Sequence, residues 1–336
     1  MKDPRLERIR ALLCGLGEAV RDRVVAARLG DADGSLARAV TEEQADTIFA
    51  VDRVGEHELL AWFERHWPDD LPVNLVYEGG SGSTFPLGSL RPIATVIIDP
   101  IDGTRGLMYD KRSAWVLAAA ALADPDRRAP TLADLQVAAM TEIPTTSQWR
   151  SRQISGLRGE GPAGLRATDT DVRTARTAPG TIRPSPVPTL LHGYASLSRF
   201  FPEGKAALAA LEEEFLARVF GRALGRHPVV FEDQYASTGG QVVELLTGHD
   251  RFVADLRPLV FAHLGLERAL TCHPYDACTT WLLAEAGGVV EQPDGQPLDA
   301  PLDTTSPVAW VGYANPALAC ALRPHLQAAI AEVLGG

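Results

Sequence analysis

The sequence predicts a mixed α/β protein with two parts, an N-terminal half built on a mostly antiparallel sheet and a smaller C-terminal α/β half. In the first half, strand patterns at 93–99, 113–123 and 135–142 follow one another without long helices between them, which is typical of antiparallel sheets. In the second half, helix and strand patterns alternate, which is typical of α/β folds. The 336 residues are enough for two such units, and we expect them at 1–185 and 186–336.

The N-terminal half begins with two predicted helices, at 4–28 and 55–68. The first carries apolar residues at helical spacing along one face. The β-branched segment 73–78 predicts a strand, and the Gly/Ser-rich segment 79–84 predicts a loop after it. At the end of this half, 144–190 is rich in Pro, Gly, Thr, Arg and Ser, so we expect an irregular, turn-rich connection there.

The C-terminal half is predicted from alternating periodicities and from turn residues. An Asp-Gly pair indicates the turn of a hairpin, and glycines indicate helix ends. The predicted elements are a helix at 204–221, a strand at 228–233, a helix at 238–248, a strand at 251–256, a helix at 275–288 and a hairpin at 289–298.

The composition argues against several classes of partner. The net charge of −11 and the pI of about 5.2 disfavour nucleic-acid binding, which needs clusters of Lys and Arg. No apolar run has the roughly 18–20 residues of a membrane span, and the first ten residues are too charged for a signal peptide. The four cysteines are too few and too scattered for a disulfide framework. We therefore expect a cytoplasmic protein with reduced thiols and a small-molecule partner.

A pair of aspartates follows the strongest strand pattern, in "TVIIDPIDGTRG" (95–106). Asp99-Pro100 ends the strand, because proline disfavours helical backbone in the preceding residue and has no N–H. The turn lets the carboxylates of Asp99 and Asp102 and the carbonyl of Ile101 converge, and such all-oxygen ligation suits Mg²⁺. The alternative is a structural Asp-Pro turn followed by an Asp-Gly turn.

Residues after the second aspartate are suited to a phosphate, because Gly103 and Thr104 offer backbone N–H groups and a hydroxyl. Further acids stand at the ends of predicted elements: Glu78 after a strand, and Asp52 and Asp276 beside helix starts. Taken singly, Glu78 is more simply an exposed charge and Asp276 a helix N-cap.

Two segments together carry a resemblance to a known family. Residues 93–104 and "YDACTTWLLAEAGGVV" (275–290) are similar to two signatures of the inositol monophosphatase family of Mg²⁺-dependent, lithium-sensitive phosphatases. Further similar segments are "QADTIFAVD" (44–52), "VYEGG" (76–80) and "STGGQVVELLTGHDRFVAD" (237–255). The resemblance covers roughly residues 5–125 and 225–315.

The resemblance implies a layered αβαβα sandwich and a set of metal ligands. Glu78, Asp99 and the Ile101 carbonyl would hold one Mg²⁺, while Asp99, Asp102 and Asp276 would hold a second. A third, weaker ion would lie by Glu78, and Mn²⁺ is a possible substitute for Mg²⁺.

The resemblance also implies roles in catalysis and phosphate binding. Thr104, hydrogen-bonded to Asp52, would orient a metal-activated water for attack, next to Glu78. The phosphate would lie against the backbone of Gly103 and Thr104. Asp102, Asp276 and Arg105 complete the expected substrate-binding set.

We therefore expect a Mg²⁺-dependent phosphomonoesterase that hydrolyses a small sugar, polyol or nucleotide phosphate, and a homodimer, as is usual in the family. One alternative is an enzyme similar to fructose-1,6-bisphosphatase or to a 3′-phosphonucleotide phosphatase. An alternative of another class is a phosphate-ester binding protein without catalysis.

Several positions depart from the family pattern. Gly79 replaces a second acid after Glu78, and Arg105 stands where the family commonly has threonine, so that it either contacts substrate or pairs with an acid. Asp255 is the nearest match, displaced by one residue, to an acid that often binds inositol hydroxyls. The segments 144–203 and 257–274 give no basis for assigning the substrate.

Overall fold

The computed structural model describes residues 3–31, 34–42, 47–86, 88, 91–123, 129–221, 228–266 and 269–335. Its helices are α1 (Pro4–Gly30), α2 (Ala50–His66), α3 (Thr104–Met108), α4 (Lys205–Phe220), α5 (Thr238–Leu246), α6 (Arg257–Leu264), α7 (Pro274–Ala277), α8 (Leu282–Glu285) and α9 (Pro316–Leu334). Its strands are β1 (Ala39–Glu42), β2 (Thr47–Phe49), β3 (Val73–Tyr77), β4 (Gly80–Phe85), β5 (Ala94–Asp102), β6 (Ala114–Leu122), β7 (Val137–Ile143), β8 (Arg150–Leu157), β9 (Arg166–Asp171), β10 (Arg176–Pro179), β11 (Tyr194–Leu197), β12 (Asp250–Asp255), β13 (Val289–Glu291) and β14 (Trp310–Tyr313).

Most of the strands form two sheets. The large sheet has eight strands in the order β10-β9-β8-β7-β6-β5-β3-β4, and β3 and β5 form its parallel pair. The small sheet has the order β11-β12-β14-β13, with β11 parallel to β12. This arrangement confirms the predicted fold class, a mostly antiparallel N-terminal sheet followed by a smaller C-terminal α/β half.

Helices pack on both sheets and separate them. The helices α1 and α2 pack on the large sheet, α5, α7 and α8 form the middle layer, and α4 and α9 pack on each other and on the small sheet. Of the middle layer, α5 and α8 contact strands of both sheets. These contacts produce the expected αβαβα sandwich.

The burial pattern of β5 determines the face of the sheet on which Asp99 lies. Val96 and Ile98 belong to the apolar core under α1 and α2, while Ile97 belongs to the core between the sheets. Side chains alternate along a strand, so Asp99 lies on the same face as Ile97, toward the middle layer. The pairing of β5 with β6 shifts register between Asp99 and Asp102, where the strand bends at its end.

Two predicted irregular segments are strands in the structure. The prediction of a loop at 79–84 is wrong, because β4 covers it and pairs with β3 at the edge of the large sheet. The prediction of an irregular connection at 144–190 is wrong for β8, β9 and β10, and holds for 180–190, which has no helix or strand. In β8 and β9, polar side chains pair across the sheet, as Arg152 does with Asp169 at 2.7 Å, and they weaken the apolar signal of these strands.

Two predicted elements of the C-terminal half are also wrong. No strand forms at 228–233, where the chain makes a single bridge between Phe231 and Tyr194. The predicted helix 275–288 consists of two one-turn helices, α7 and α8, with a turn between them. The predicted boundary at residue 185 lies between the last strand of the large sheet and the first of the small sheet. It stays a prediction, because the middle layer packs on both sheets.

The described residues contain no helix that is long and apolar enough to cross a membrane. Cys14, Cys272, Cys278 and Cys320 are all free thiols, in agreement with the expected absence of a disulfide framework.

Candidate active site

The first candidate ligand, Asp99, is fixed by the backbone turn that follows it. Its Oδ1 accepts a hydrogen bond from the N–H of Ile101 at 2.9 Å, and the residue is only 2% exposed. The proline between them cannot donate, so the turn leaves this N–H for the carboxylate. The strand end therefore presents a buried carboxylate in one orientation.

Asp102 is held by the N-terminus of α5. Its Oδ2 accepts from Ser237 Oγ at 2.7 Å and from the N–H of Gly239 at 2.6 Å, and its Oδ1 accepts from the N–H of Thr238 at 3.2 Å. The first N–H groups of a helix have no partner within the helix and carry partial positive charge, which stabilises a carboxylate. These contacts join the end of β5 to a helix 135 residues further along the chain.

Two glycines make this close approach possible. A Cβ on Gly239 would lie 3.0 Å from Asp102 Oδ2 and 2.5 Å from Cδ2 of Leu117. Gly103 has a φ of +97°, in the left-handed region, and a Cβ there would lie 2.9 Å from Cβ of Ser237. Larger residues at either position would push the helix away from the carboxylate.

The third aspartate comes from α7 in the middle layer. Asp276 Oδ2 accepts from the N–H of His273 at 2.6 Å, so Asp276 lies at the third position of the helix and holds the N–H of the N-cap residue, whereas the simpler alternative made Asp276 itself the N-cap. It also offers an oxygen to a group with Asp99 and Asp102, in which the three carboxylate oxygens lie within 4.8 Å of one another. The hydrogen bond from His273 orients the side chain of Asp276, which still belongs to the cluster with Asp99 and Asp102.

The cluster is electrostatically unfavourable without a cation. Burial raises the pKa of Asp99 well above its usual value, and the charges of Glu78, Asp102 and Asp276 raise it further. Burial raises the pKa of Asp102 to about 7, with Asp276 the next cause, and burial also raises the pKa of Asp276 to about 7. Three converging carboxylates with an all-oxygen donor set fit a hard divalent cation such as Mg²⁺.

A hydroxyl–carboxylate pair lies beside this cluster. Thr104 Oγ1 lies 2.7 Å from Asp52 Oδ1 and 2.9 Å from the carbonyl oxygen of Ile101. The other oxygen of Asp52 accepts from the N–H of Phe49 at 2.7 Å, which fixes the carboxylate at the start of α2. The helix begins at Ala50, five residues before the predicted start, which brings Asp52 into its first turn.

All the predicted site residues line one cavity: Asp52, Glu78, Asp99, Ile101, Asp102, Gly103, Thr104, Arg105 and Asp276. Glu78 lies outside the group of three converging carboxylates, although its charge affects Asp99. Glu78 also lines an adjacent cavity of about 320 Å³, which contains Glu56 and Gly79.

The cavity is also lined by residues that the sequence did not identify as functional. Phe200, Phe201 and Arg257 line the cavity, together with Leu270 and Thr271. The sequence signal for these residues was weak, because two adjacent phenylalanines are more often core residues and the segment 257–274 contains no motif. The structure locates both segments beside the candidate metal ligands.

Asp255 does not occupy the place of a hydroxyl-binding acid. It is fully buried and forms an ion pair with Arg257, in which Nη2 lies 2.5 Å from Oδ2 and Nε lies 2.9 Å from Oδ1. Arg257, and not Asp255, lines the cavity.

The fold and the site together define a class: an αβαβα protein with an acidic, all-oxygen centre where the large sheet meets the middle layer. The chain is similar in structure to the extragenic suppressor protein SuhB of Bartonella henselae, with a TM-score of 0.65 and 13% identity over 95% of this chain and 98% of that chain. It is also similar to Leishmania major fructose-1,6-bisphosphatase, with a TM-score of 0.65 and 12% identity over 97% and 95% of the two chains. The inositol monophosphatase of Anabaena aligns with a TM-score of 0.58 and 15% identity over 98% and 97%.

No protein-family model matches the chain, and no curated protein is similar to it in sequence. At identities of 12 to 15%, the structural similarity shows a shared fold. The resemblance to the inositol monophosphatase family is therefore confirmed at the level of the fold, over nearly the whole chain.

Proposed function

We propose that this protein is a divalent-metal-dependent phosphomonoesterase that acts on a small phosphorylated metabolite. The observation that carries the proposal is the group of three carboxylate oxygens within 4.8 Å of one another, on the same cavity as the Thr104–Asp52 pair. The structural neighbours support it, because they include proteins described as an inositol monophosphatase and a fructose-1,6-bisphosphatase.

The proposed ligand sets use residues that line the cavity. Glu78, Asp99 and the Ile101 carbonyl would hold one Mg²⁺, while Asp99, Asp102 and Asp276 would hold a second, and a weaker third would lie by Glu78. When bound, the ions supply positive charge for the phosphate and lower the pKa of an attacking water. The carbonyl of Ile101 has two lone pairs, so its contact with Thr104 leaves one for an ion.

The Thr104–Asp52 pair provides a path for the proton of the attacking water. The Thr104 hydroxyl oxygen accepts a hydrogen bond from the water while its own proton is donated to Asp52 Oδ1. As the water oxygen forms its bond to phosphorus, its proton passes to Thr104 and the Thr104 proton passes to Asp52. The ester P–O bond breaks with its electron pair on the leaving oxygen, which takes a proton from solvent to leave as the alcohol. The N–H of Phe49 stabilises the Asp52 carboxylate that begins this sequence.

The start of α3 is suited to hold the phosphate. The first N–H groups of a helix have no partner within it, and at α3 they belong to Thr104 and its neighbours. The αL conformation of Gly103 turns the chain so that this end of the helix lines the cavity. We propose that Gly103 and Thr104 orient the phosphate for in-line attack.

A phosphate-release screen tests the proposal directly. The protein with Mg²⁺ should release phosphate from a member of a panel of sugar, polyol and nucleotide phosphates, and EDTA should abolish the release. Asp99→Asn should reduce turnover about a thousandfold or more, because metal stabilisation of the transition state is worth several kcal/mol. The exposed Asp69→Asn is the matched control and should behave as wild type. Near-normal turnover by Asp99→Asn would refute the metal assignment.

The alternatives are separated by the same screen. Preference for a sugar bisphosphate or a 3′-phosphonucleotide would favour an enzyme similar to fructose-1,6-bisphosphatase or to a 3′-phosphonucleotide phosphatase. Tight binding of an ester without turnover under any divalent ion would favour a binding protein. The Thr104–Asp52 hydrogen bond favours hydrolysis, because binding alone requires no proton acceptor at that position. We also propose a homodimer, which light scattering in solution would test.

A further inference from the structure

The cavity also contains cationic residues. Among the described residues that line the cavity, the acids are Asp52, Glu78, Asp99, Asp102 and Asp276, all assigned above to metal and water. The cations are Arg105 and Arg257, which lie among aromatic residues. A substrate whose phosphate lies at the aspartates therefore has two arginines in the same cavity for its leaving group.

Arg257 is held firmly and still reaches the cavity. It is only 5% exposed, and its guanidinium donates to Asp255 through Nε and Nη2 and to the carbonyl of Leu270 through Nη1 at 3.2 Å. A guanidinium has five N–H donors, so these contacts leave N–H groups for a further acceptor. Because the ion pair is rigid and desolvated, a ligand that binds it loses little side-chain entropy.

The two arginines share an aromatic support. The guanidinium carbons of Arg105 and Arg257 lie 5.2 and 5.7 Å from the ring centroid of Phe201. Arg105 also lies over Phe49 at 5.8 Å, and Arg257 lies over Phe200 at 4.5 Å. Phe200 and Phe201 contact each other edge to face, with centroids 5.0 Å apart.

This packing favours an anion over a flat, uncharged group. The arginines lie over ring faces that a stacked base would need. A guanidinium on a ring keeps its N–H edge available, and that edge matches the geometry of a carboxylate or phosphate. An anionic acceptor also attracts the positive guanidinium as a charge, which a neutral hydroxyl does not.

We infer that the leaving group of the substrate carries a second anion, a carboxylate or a second phosphate, and that Arg105 and Arg257 bind it. The inference rests on the proposed function and narrows its substrate class. It assigns specificity to residues outside the aspartate motifs, in a wall built from α3, α6 and the segment before α4. Asp255 acts as a positioning residue, because it accepts hydrogen bonds from the guanidinium and the backbone N–H of Arg257 and does not line the cavity.

The test compares three esters that share a three-carbon skeleton: glycerol 3-phosphate, 3-phosphoglycerate and glycerol 1,3-bisphosphate. With Mg²⁺, kcat/KM for at least one of the two doubly anionic esters should exceed that for glycerol 3-phosphate by about tenfold or more, as expected of one charged hydrogen bond. The ester that gains identifies the second anion as carboxylate or phosphate.

Variants test the assignment through the ratio of kcat/KM for the doubly anionic ester to kcat/KM for glycerol 3-phosphate. In Arg105→Gln this ratio should fall several-fold toward one, and in Arg257→Lys it should also fall. The exposed Arg65→Gln is the control and should keep the wild-type ratio. A merely structural role for the arginines would lower kcat/KM for all three esters equally and keep the ratio.

The outcomes separate this inference from the proposed function. Hydrolysis of all three esters with similar efficiency, or a ratio that survives both substitutions, would overturn the inference and leave the phosphatase intact. If neither these esters nor any sugar, polyol or nucleotide phosphate of the panel is hydrolysed, the proposed function fails. In that case, calorimetric Kd values for the three esters with the Mg²⁺-loaded protein test whether a second anion is bound. Equal Kd values would overturn the inference.

Discussion

At the scale of single residues, the site is an arrangement of acids that the protein alone does not neutralise. Asp99, Asp102 and Asp276 converge, and the hydrogen bonds from Ser237 and the backbone of α5 stabilise only Asp102. Their raised pKa values express the free-energy cost of burying like charges together. A bound divalent cation would reverse this cost.

The raised pKa values predict a stability that depends on pH and metal. Unfolded aspartates ionise near 3.8, whereas Asp102 and Asp276 retain protons in the folded state up to about 7. The folded state binds more protons between these values, so the free energy of unfolding of the metal-free protein should fall as pH rises from about 4 to about 7. Urea unfolding in EDTA across this range measures the slope.

A substitution isolates the contribution of the cluster. Burial also raises the pKa of Asp250 to about 7, which adds a slope of the same sign, so wild type must be compared with Asp102→Asn. The variant should lose part of the slope, and the Tm increase from Mg²⁺ in wild type should be larger at pH 8 than at pH 5. The electrostatic account would be contradicted if Asp102→Asn kept the wild-type slope of unfolding free energy against pH and Mg²⁺ raised the Tm of wild type equally at both pH values.

Thr104 supplies a second prediction at this scale. Thr104→Val keeps the shape of the side chain but removes the hydroxyl that contacts Asp52, so kcat should fall about 10²–10⁴-fold, the usual range for a lost proton-transfer group. Thr104→Ser retains the hydroxyl and should keep most of the activity. Steady-state kinetics decide the matter, and equal losses in both variants would exclude a role for the hydroxyl.

At the scale of elements, the N-terminus of α5 holds the end of β5 in place. The backbone of this helix approaches Asp102 closely only because residue 239 has no side chain. A helix from the second half of the chain thereby fixes a ligand from the first half. Metal affinity should therefore depend on how these two elements pack as well as on the ligands themselves.

Gly239→Ala tests this packing. Its Cβ would lie 2.5 Å from Leu117 Cδ2, and overpacking of this kind costs about 1–3 kcal/mol in the free energy of unfolding. Mg²⁺ affinity should fall as well, because a displaced α5 would move the backbone N–H of residue 239 away from Asp102. Gly30→Ala, at the end of α1 with open space around it, should leave both quantities unchanged. Wild-type affinity in Gly239→Ala would argue against coupling between α5 and the site.

At the scale of the whole molecule, local motifs and elements are easier to predict from the sequence than contacts between distant segments. The strong strand at 93–99 and the motif after it identified six of the residues that line the cavity, from Asp99 to Arg105, because short motifs carry their own geometry. Asp52, Glu78 and Asp276 came from the resemblance of other segments to a known family. The strands β8 to β10 escaped prediction because the polar side chains at this end of the large sheet obscure the apolar period of a strand.

The long-range contacts of the site lie beyond sequence reasoning. The link between Asp102 and Ser237 spans 135 residues, and the wall formed by Phe201 and Arg257 depends on how two unmatched segments meet the cavity. No pattern in one sequence specifies such neighbours. Substrate specificity therefore has to be argued from the structure, while the candidate metal ligands can be identified from the sequence.

The central claim is that distant carboxylates gather around divalent ions and make the cavity attractive to a phosphate ester. Crystals soaked with Mn²⁺ and phosphate test it most directly through anomalous difference density. The account predicts Mn²⁺ peaks bonded to Asp99, Asp102 and Asp276, with phosphate against Gly103 and Thr104. A well-ordered soaked crystal without anomalous density at these carboxylates would contradict the account.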